Sequence, residues 1–198
     1  MSEDNALSRR RFLSIATGVT GAVGAAAVAY PFLASWQPSA RARALGAPVE
    51  VDISKLEDGA MMKVIWRGKP VSILKRSPEM LERLQSSSAE LSDPDSEVVD
   101  QQPAYAQNEF RSVKPEILVI ISNCTHLGCV PTNRFEVAPA DLGADWVGGF
   151  FCPCHGSKFD LSGRVYAGVP APTNLLVPPY RFAGEETLII GEDTEVAA

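Results

Sequence analysis

The first part of the chain contains a long stretch without charged residues, residues 12–40. Its most apolar part, residues 13–33, would extend about 32 Å as a helix, which is enough to cross the apolar core of a bilayer. Tyr30 and Trp36 lie near the far end of this stretch, where amphipathic rings favour the membrane interface. The pattern therefore predicts a single transmembrane anchor over residues 12–36.

The composition changes after the anchor. Residues 37–47 are small and polar and show no apolar period, which is typical of a linker, and we predict a flexible hinge there. From Pro48 onward short apolar segments recur, and residues 49–53 alternate between apolar and polar positions as a half-buried strand does. Residues 48–198 are thus predicted to form one mainly β domain, because a chain of this length leaves little room for a second large one.

Strand and turn signals recur through this domain. Residues 61–66 and 71–75 predict two strands joined through residues 67–70. Ser77 followed by Pro78 is typical of the start of a short helix, which is the single helix predicted outside the membrane. Three further strands and one exposed loop are also predicted, the strands at residues 117–121, 175–177 and 187–190 and the loop at residues 85–107.

The formal net charge of −6 argues against nucleic acid as a partner, since binding to phosphates needs clustered Lys and Arg. The four Cys and two His all lie in two short segments, CTHLGC at residues 124–129 and CPCHGS at residues 152–157. One thiolate and one imidazole from each segment would satisfy a tetrahedral zinc ion. They would equally satisfy a 2Fe–2S cluster with Cys on one iron and His on the other. In either case two of the four Cys are not needed as metal ligands.

The two segments resemble the cluster-binding loops of Rieske iron–sulfur proteins, and more narrowly those of the Rieske subunit of the quinol–cytochrome c reductase (cytochrome bc) complex. The resemblance implies a Rieske-type antiparallel β domain with a base and a cluster-binding subdomain at about residues 116–174. It implies one 2Fe–2S cluster, with Cys and His ligands on different irons, and a disulfide between the loops. The residues to which these roles carry over are Cys124 and Cys152 for one iron, His126 and His155 for the other, and Cys129 and Cys154 for the disulfide.

Residues 8–13, SRRRFL, resemble the twin-arginine export signal of bacteria. That machinery carries folded proteins, so a cofactor would be inserted before export. The resemblance implies a cytoplasmic tail at residues 1–11 and a single-pass subunit of the bacterial inner membrane, with its C-terminal domain on the periplasmic side.

The same resemblance implies an enzyme function, as a subunit of a proton-translocating oxidoreductase. The cluster would take one electron from quinol, with release of a proton, and pass it to a c-type cytochrome. Both His126 and His155 would lie at the exposed tip, and His155 would contact the quinol. The implied partners are quinol, the membrane, a cytochrome b subunit and a c-type cytochrome subunit, in a dimeric complex.

Several neighbouring residues also match positions in the family. Leu127 and Gly128 would belong to the surface that docks on cytochrome b, Ser157 would bond a cluster sulfide, and Pro170 would help to cover the cluster. Phe159 stands where many members have Tyr, which predicts a lower reduction potential than theirs. Two departures concern the 22 residues between the loops, residues 130–151, and Val169, which is an extra residue in the proline-containing segment 168–172.

Other functions remain open at this point. A Rieske oxygenase is excluded, because both His are needed at the cluster and no further site with two His and a carboxylate remains. The main alternative is the Rieske subunit of another periplasmic oxidoreductase, such as arsenite oxidase. A structural zinc module is a second alternative, and it predicts a colourless and redox-silent protein.

Overall fold

A computed structural model of the protein describes residues 3–87 and 90–193. The start of the predicted tail, two residues of the predicted loop and the end of the predicted domain lie outside the described residues. The chain divides into two units, one that ends at Ala44 and one that begins at Leu45.

The first unit is helical. Helix α1 spans Glu3–Ser35, and from Ser8 onward the chain contains a helix that is long and apolar enough to cross a membrane. The helix begins before the predicted anchor because the preceding residues, which include three Arg, are compatible with helix and continue its backbone hydrogen bonds.

The segment predicted as a linker contains helix α2, Ala40–Gly46, which the sequence pattern did not predict. Ser39 caps the helix, with its hydroxyl accepting from the amide of Ala42 at 3.1 Å, and the Ala and Arg residues that follow have high helix propensity. The flexible hinge itself stays a prediction.

The second unit, the head, is mainly β as predicted. Three antiparallel sheets of three strands each, in the orders β1-β9-β8, β2-β3-β4 and β5-β6-β7, account for its described strands. The strands are β1 Val49–Asp52, β2 Met61–Trp66, β3 Lys69–Lys75, β4 Ile117–Ile121, β5 Thr132–Arg134, β6 Gly149–Cys152, β7 Ser157–Phe159, β8 Tyr180–Phe182 and β9 Thr187–Ile190.

The predicted helix is confirmed as α3, Pro78–Ser86, and Ser77 accepts a hydrogen bond from the amide of Met80. The predicted hairpin is also present, but β3 begins at Lys69 rather than Val71. A turn of only two residues, Arg67 and Gly68, both with positive φ, connects the strands.

Two predictions for the rest of the head are wrong. Residues 175–177 form no strand, because their backbone groups bond to three different segments: Leu175 to Gly163, Leu176 to Ile121 and Val177 to Gln101. Residues 85–107 are not simply an exposed loop. Their described part contains two short 3-10 turns, Val99–Gln101 and Ala104–Ala106, and buries the side chains of Ser96, Gln102 and Ala106.

Strand β4 positions the site. All five of its residues, ILVII, are buried, and three residues beyond its end the chain reaches Cys124. The strand pairs with β3 in register Val71↔Ile121, so it belongs to the sheet of β2, β3 and β4, which we call the base. A cluster-binding subdomain at about residues 116–174 stays a prediction.

Two buried guanidinium groups join the base to the turn around Ser162. Arg76, at the end of β3, donates to Phe110 O at 3.0 Å and to Ser162 Oγ at 2.9 Å. Arg111 donates to Leu175 O at 2.7 Å and more weakly to the carbonyl of Ser162. Burial lowers the pKa of each to about 10, so both remain charged at neutral pH and fasten the turn around Ser162 to the base.

Candidate metal centre

The two Cys- and His-containing loops close in the same way. The amide of Gly128 donates to the carbonyl of Cys124 at 2.8 Å, and the amide of Gly156 donates to the carbonyl of Cys152 at 2.9 Å. Each glycine lies four residues after its cysteine and has positive φ, 82° and 78°. A side chain would strain this conformation, so both loops need glycine at the position that closes the turn.

Cys124 and Cys152 lie at the inner ends of these loops. Both are buried, with 3% and 2% of their surface exposed, and neither is in a disulfide. Burial raises the pKa of the Cys152 thiol, and the neighbouring Cys124 thiol raises it further. Two adjacent buried thiols can both be thiolates only beside a positive group, as a metal centre provides.

His126 and His155 lie at the outer ends of the loops. Their ring centroids are 4.7 Å apart and the ring planes are nearly perpendicular, at 86°. His155 is exposed and His126 is half-buried. Leu127, beside them, is 71% exposed, and Gly128 is exposed too. These residues therefore form an exposed tip, as predicted.

The remaining two cysteines, Cys129 and Cys154, form a disulfide that joins the loops. Within the part of the chain that the structure describes, one group of three ligand atoms lies within 4.8 Å of one another, the sulfurs of Cys129, Cys152 and Cys154. Two of these sulfurs are bonded to each other and are not thiolates. This group is therefore the disulfide beside a free thiol rather than a metal site.

The donor set fits a two-iron cluster better than a single ion. The ligands of one tetrahedral zinc must all lie about 2.0–2.3 Å from one point, which brings their atoms within about 4 Å of one another. No three ligand atoms that include a histidine nitrogen meet even 4.8 Å among the described residues. Instead the two thiols pair at the inner ends and the two imidazoles at the outer ends, which is the division that a Rieske cluster needs.

The segment 168–172 is fastened to both loops. Ala171 donates its amide to Ser157 Oγ at 3.1 Å, and Thr125 donates its hydroxyl to the carbonyl of Thr173 at 2.7 Å. Ser157 is fully buried and, because it accepts this bond, its own hydroxyl hydrogen remains available to a cluster sulfide. Pro170 itself is exposed, and the extra residue Val169 packs partly against the core.

Three residues of structural importance were not among the sequence-predicted ones. Arg76 and Arg111 are buried, and the sequence around them, LKRSP and EFRSV, contains other polar and charged residues and gave no signal of that. Trp146 is 1% exposed although it lies in the segment between the two Cys- and His-containing loops, which departs from the family in length. A tryptophan in an otherwise small and polar segment was the signal for its role.

Known proteins are similar to this chain over both its first helix and its head. Residues 51–181 match the family described as Rieske [2Fe-2S] domain, and residues 1–39 match the one described as Ubiquitinol-cytochrome C reductase Fe-S subunit TAT signal. The ubiquinol-cytochrome c reductase iron-sulfur subunit of Allochromatium vinosum is 61% identical over 93% of this chain and 89% of its own length. The subunit of the same name from Blastochloris viridis is 44% identical over 93% of each chain. A solved chain titled "Hyperthermophilic respiratory Complex III" covers 88% of this chain and 98% of its own length at 26% identity, with a TM-score of 0.48.

Proposed function

The chain belongs to the Rieske [2Fe-2S] domain family, and on that basis we propose that it is the electron-transfer subunit of a membrane quinol–cytochrome c reductase. A Rieske domain binds one 2Fe–2S cluster through two Cys and two His. We assign Cys124 and Cys152 to one iron and His126 and His155 to the other. The observation that carries the proposal is the pairing of two buried thiols with two outward imidazoles on disulfide-linked loops.

The bound cluster supplies one-electron chemistry at about −150 to +300 mV, because neutral imidazoles replace two anionic thiolates. His155 is the more exposed imidazole, and its ring nitrogen that does not bind iron can accept a hydrogen bond from a quinol hydroxyl. The same nitrogen can then hold the proton that leaves the quinol. Leu127 and Gly128 surround the tip with the apolar surface that docks on cytochrome b.

The partners and location follow from the same proposal. The subunit takes its place beside a cytochrome b and a c-type cytochrome in a dimeric complex, with the head on the periplasmic side of the inner membrane. Support comes from the relatives, which are named as subunits of ubiquinol-cytochrome c reductase, and from the match of residues 1–39 to the export signal. Movement of the head on residues 37–47 would carry the electron from one partner to the other.

Two alternatives are less well supported. A Rieske subunit of arsenite oxidase would keep the cluster, but the relatives that cover most of this chain carry the quinol-oxidising complex in their names. A zinc module would need the four donors around one point, and the described ligand atoms are not arranged in that way.

The test is low-temperature electron paramagnetic resonance of ascorbate-reduced membranes that contain the full chain. We expect a Rieske-type signal from the unchanged chain and its loss in His155→Asn. Val130→Ala, a substitution at an exposed neighbour of the first loop, is the matched control and should keep the signal. Absence of the signal in the unchanged chain, with zinc found by elemental analysis, would leave the structural metal module. A signal without quinol–cytochrome c reductase activity in the same membranes would favour another periplasmic oxidoreductase.

A further inference from the structure

The segment between the two loops has a defined structure of its own. We call residues 136–146 the inter-loop insertion. Trp146, at its end, is almost fully buried and donates its indole N–H to the carbonyl of Arg134 at 3.0 Å. The carbonyl of Trp146 accepts from the amide of Ala138 at 2.8 Å. The insertion therefore folds back on itself and directs a large side chain inward, which a solvated loop would not do.

The insertion holds the outer face of β7. The ammonium group of Lys158 donates to the carbonyl of Leu142 at 3.1 Å. Lys158 lies between Ser157 and Phe159, whose side chains point to the other face, because neighbouring residues of a strand alternate. The outer face of the strand that carries Ser157 is thus supported by the inter-loop insertion.

A second contact leads from the insertion to the segment 168–172. The ring of Trp146 stacks on that of Tyr166, with centroids 5.7 Å apart and planes at 24°. Tyr166 donates its amide to the carbonyl of Lys158 at 3.1 Å. Five residues later, Ala171 donates its amide to Ser157 Oγ. The stretch 166–171 is therefore fastened to β7 at both ends. At the first end the backbone is also bonded to residues 90–92, with the amide of Ala167 donating to the carbonyl of Glu90 at 2.9 Å, and Trp146 adds the contact to the Tyr166 ring.

Stacking, rather than a hydrogen bond, is what holds the Tyr166 ring. Its hydroxyl is buried and has no hydrogen-bond partner among the described residues. The ring borders a half-open cavity of about 410 Å³ that is also lined by Glu90, Asp145 and Trp146. Burial raises the pKa of Tyr166 to about 12, so the hydroxyl stays neutral. Removal of the hydroxyl should therefore change little, whereas removal of the stacking partner should release the ring.

We propose that Trp146 is a positioning residue, which acts through Tyr166 to hold the segment 168–172 against Ser157. The insertion would then have a role at the cluster without touching it. It would keep the cover closed and the Ser157 hydroxyl oriented. The proposal rests on the proposed function only in naming the 2Fe–2S cluster as the group that is covered.

The test is hydrogen–deuterium exchange of the full-length holoprotein, read by mass spectrometry in peptides that span residues 168–173. In Trp146→Ala we expect exchange there to be about two- to tenfold faster, because the stacked pair that opposes local opening is lost. Peptides from β4 should exchange as before. Tyr166→Phe is the matched control, because it keeps the stacked ring and removes only the unpaired hydroxyl. The midpoint potential should fall in Trp146→Ala and not in Tyr166→Phe.

Two results would overturn the proposal. One is unchanged exchange at residues 168–173 in Trp146→Ala, and the other is equal acceleration in these peptides and in β4, which would mean general destabilisation. If Trp146→Ala does not fold, Lys158→Met tests the contact between β7 and the insertion, and Trp146→Phe tests whether a smaller ring suffices. If Lys158→Met leaves the exchange rate at residues 168–173 unchanged, this would argue against support of that segment by the insertion. None of these readings needs quinol oxidation, so they are separate from the test of the proposed function.

Discussion

Ser157 and Phe159 lie on the same face of β7, two residues apart, and both are fully buried. Ser157 on this face is bonded to the segment 168–172, so Phe159 shares its face with the residue that we propose to face the cluster. In Phe159→Tyr the added hydroxyl can donate to a ligand sulfur. One hydrogen bond of about 1 kcal/mol corresponds to roughly 40 mV for a one-electron couple. We therefore expect the midpoint potential to rise by about that amount in a redox titration.

Phe159→Leu is the control for this change, since it alters packing at the same site without adding a donor. Its midpoint should not rise. A midpoint that stays the same in Phe159→Tyr would mean that Phe159 only packs and that another donor already serves the sulfur.

The disulfide between Cys129 and Cys154 joins loops that each carry one thiol and one imidazole. In Cys129→Ser and Cys154→Ser the loops should separate more easily, so we expect weakened retention of the cluster. The measurement is the amplitude of the electron paramagnetic resonance signal per protein after incubation at 40 °C. Asn123→Ala, which removes a hydrogen bond within the first loop alone, should lose less. A cluster as stable as the original in both serine variants would contradict the role of the disulfide.

The first two arginines of the export signal should be needed to place the head outside the cytoplasm. In the double variant Arg9→Lys, Arg10→Lys we expect the chain to accumulate in the cytoplasmic fraction, because the signal resembles S-R-R-x-F-L and Arg11 stands at its variable position. Arg11→Lys keeps the same charge and is the matched control. Protease added to whole spheroplasts reports which side the head is on. Full export of the double variant would count against this signal.

Residues 37–47 should be able to bend if the head moves between partners. In the double variant Ala44→Pro, Leu45→Pro the prolines restrict φ and interrupt α2. We expect quinol–cytochrome c turnover to fall several-fold while the cluster signal stays unchanged. Ala44→Ser, Leu45→Ala keeps the length without this restriction and should turn over normally. Equal turnover in both double variants would argue against a moving head.

Arg76 should be important for the stability of the head. In Arg76→Met the carbonyl of Phe110 and the hydroxyls of Ser112 and Ser162 lose a charged donor. Hydrogen bonds to charged groups are worth about 1.5–3 kcal/mol each, so we expect the free energy of unfolding to fall by at least about 3 kcal/mol. Urea unfolding of the detergent-solubilised chain measures this. Lys69→Met, at an exposed position, should change it by less than about 0.5 kcal/mol.

The sequence was most informative where chemistry requires particular residues at fixed spacing. Cys124 and Cys152 were separable from Cys129 and Cys154 only through the family resemblance, since four cysteines in two segments allow several pairings. The strand of five apolar residues that leads to Cys124 was predicted with its correct bounds, because a short apolar run rich in β-branched residues favours a buried strand.

Other features depended on contacts between distant residues. Leu175 to Val177 looks like a strand, but its backbone groups bond to three different segments, and no local pattern encodes that. Trp146 belongs to a segment that reads as a surface loop, and its burial depends on Tyr166, which lies 20 residues later in the chain. The helix over residues 40–46 is a local feature that composition alone concealed, since Ala and Arg suit both a linker and a helix.

The two buried arginines have a consequence for how the head can work as a carrier. Opening at the turn around Ser162 would break a buried hydrogen bond of each guanidinium group, that of Arg76 to Ser162 Oγ and that of Arg111 to the carbonyl of Ser162. Each broken bond would leave a charged donor without one of its acceptors in an apolar interior, which is unfavourable. These bonds oppose separation of the loops from the base. If the head moves between its partners as proposed, we therefore expect it to move as one rigid body, with a constant distance between the cluster and the base.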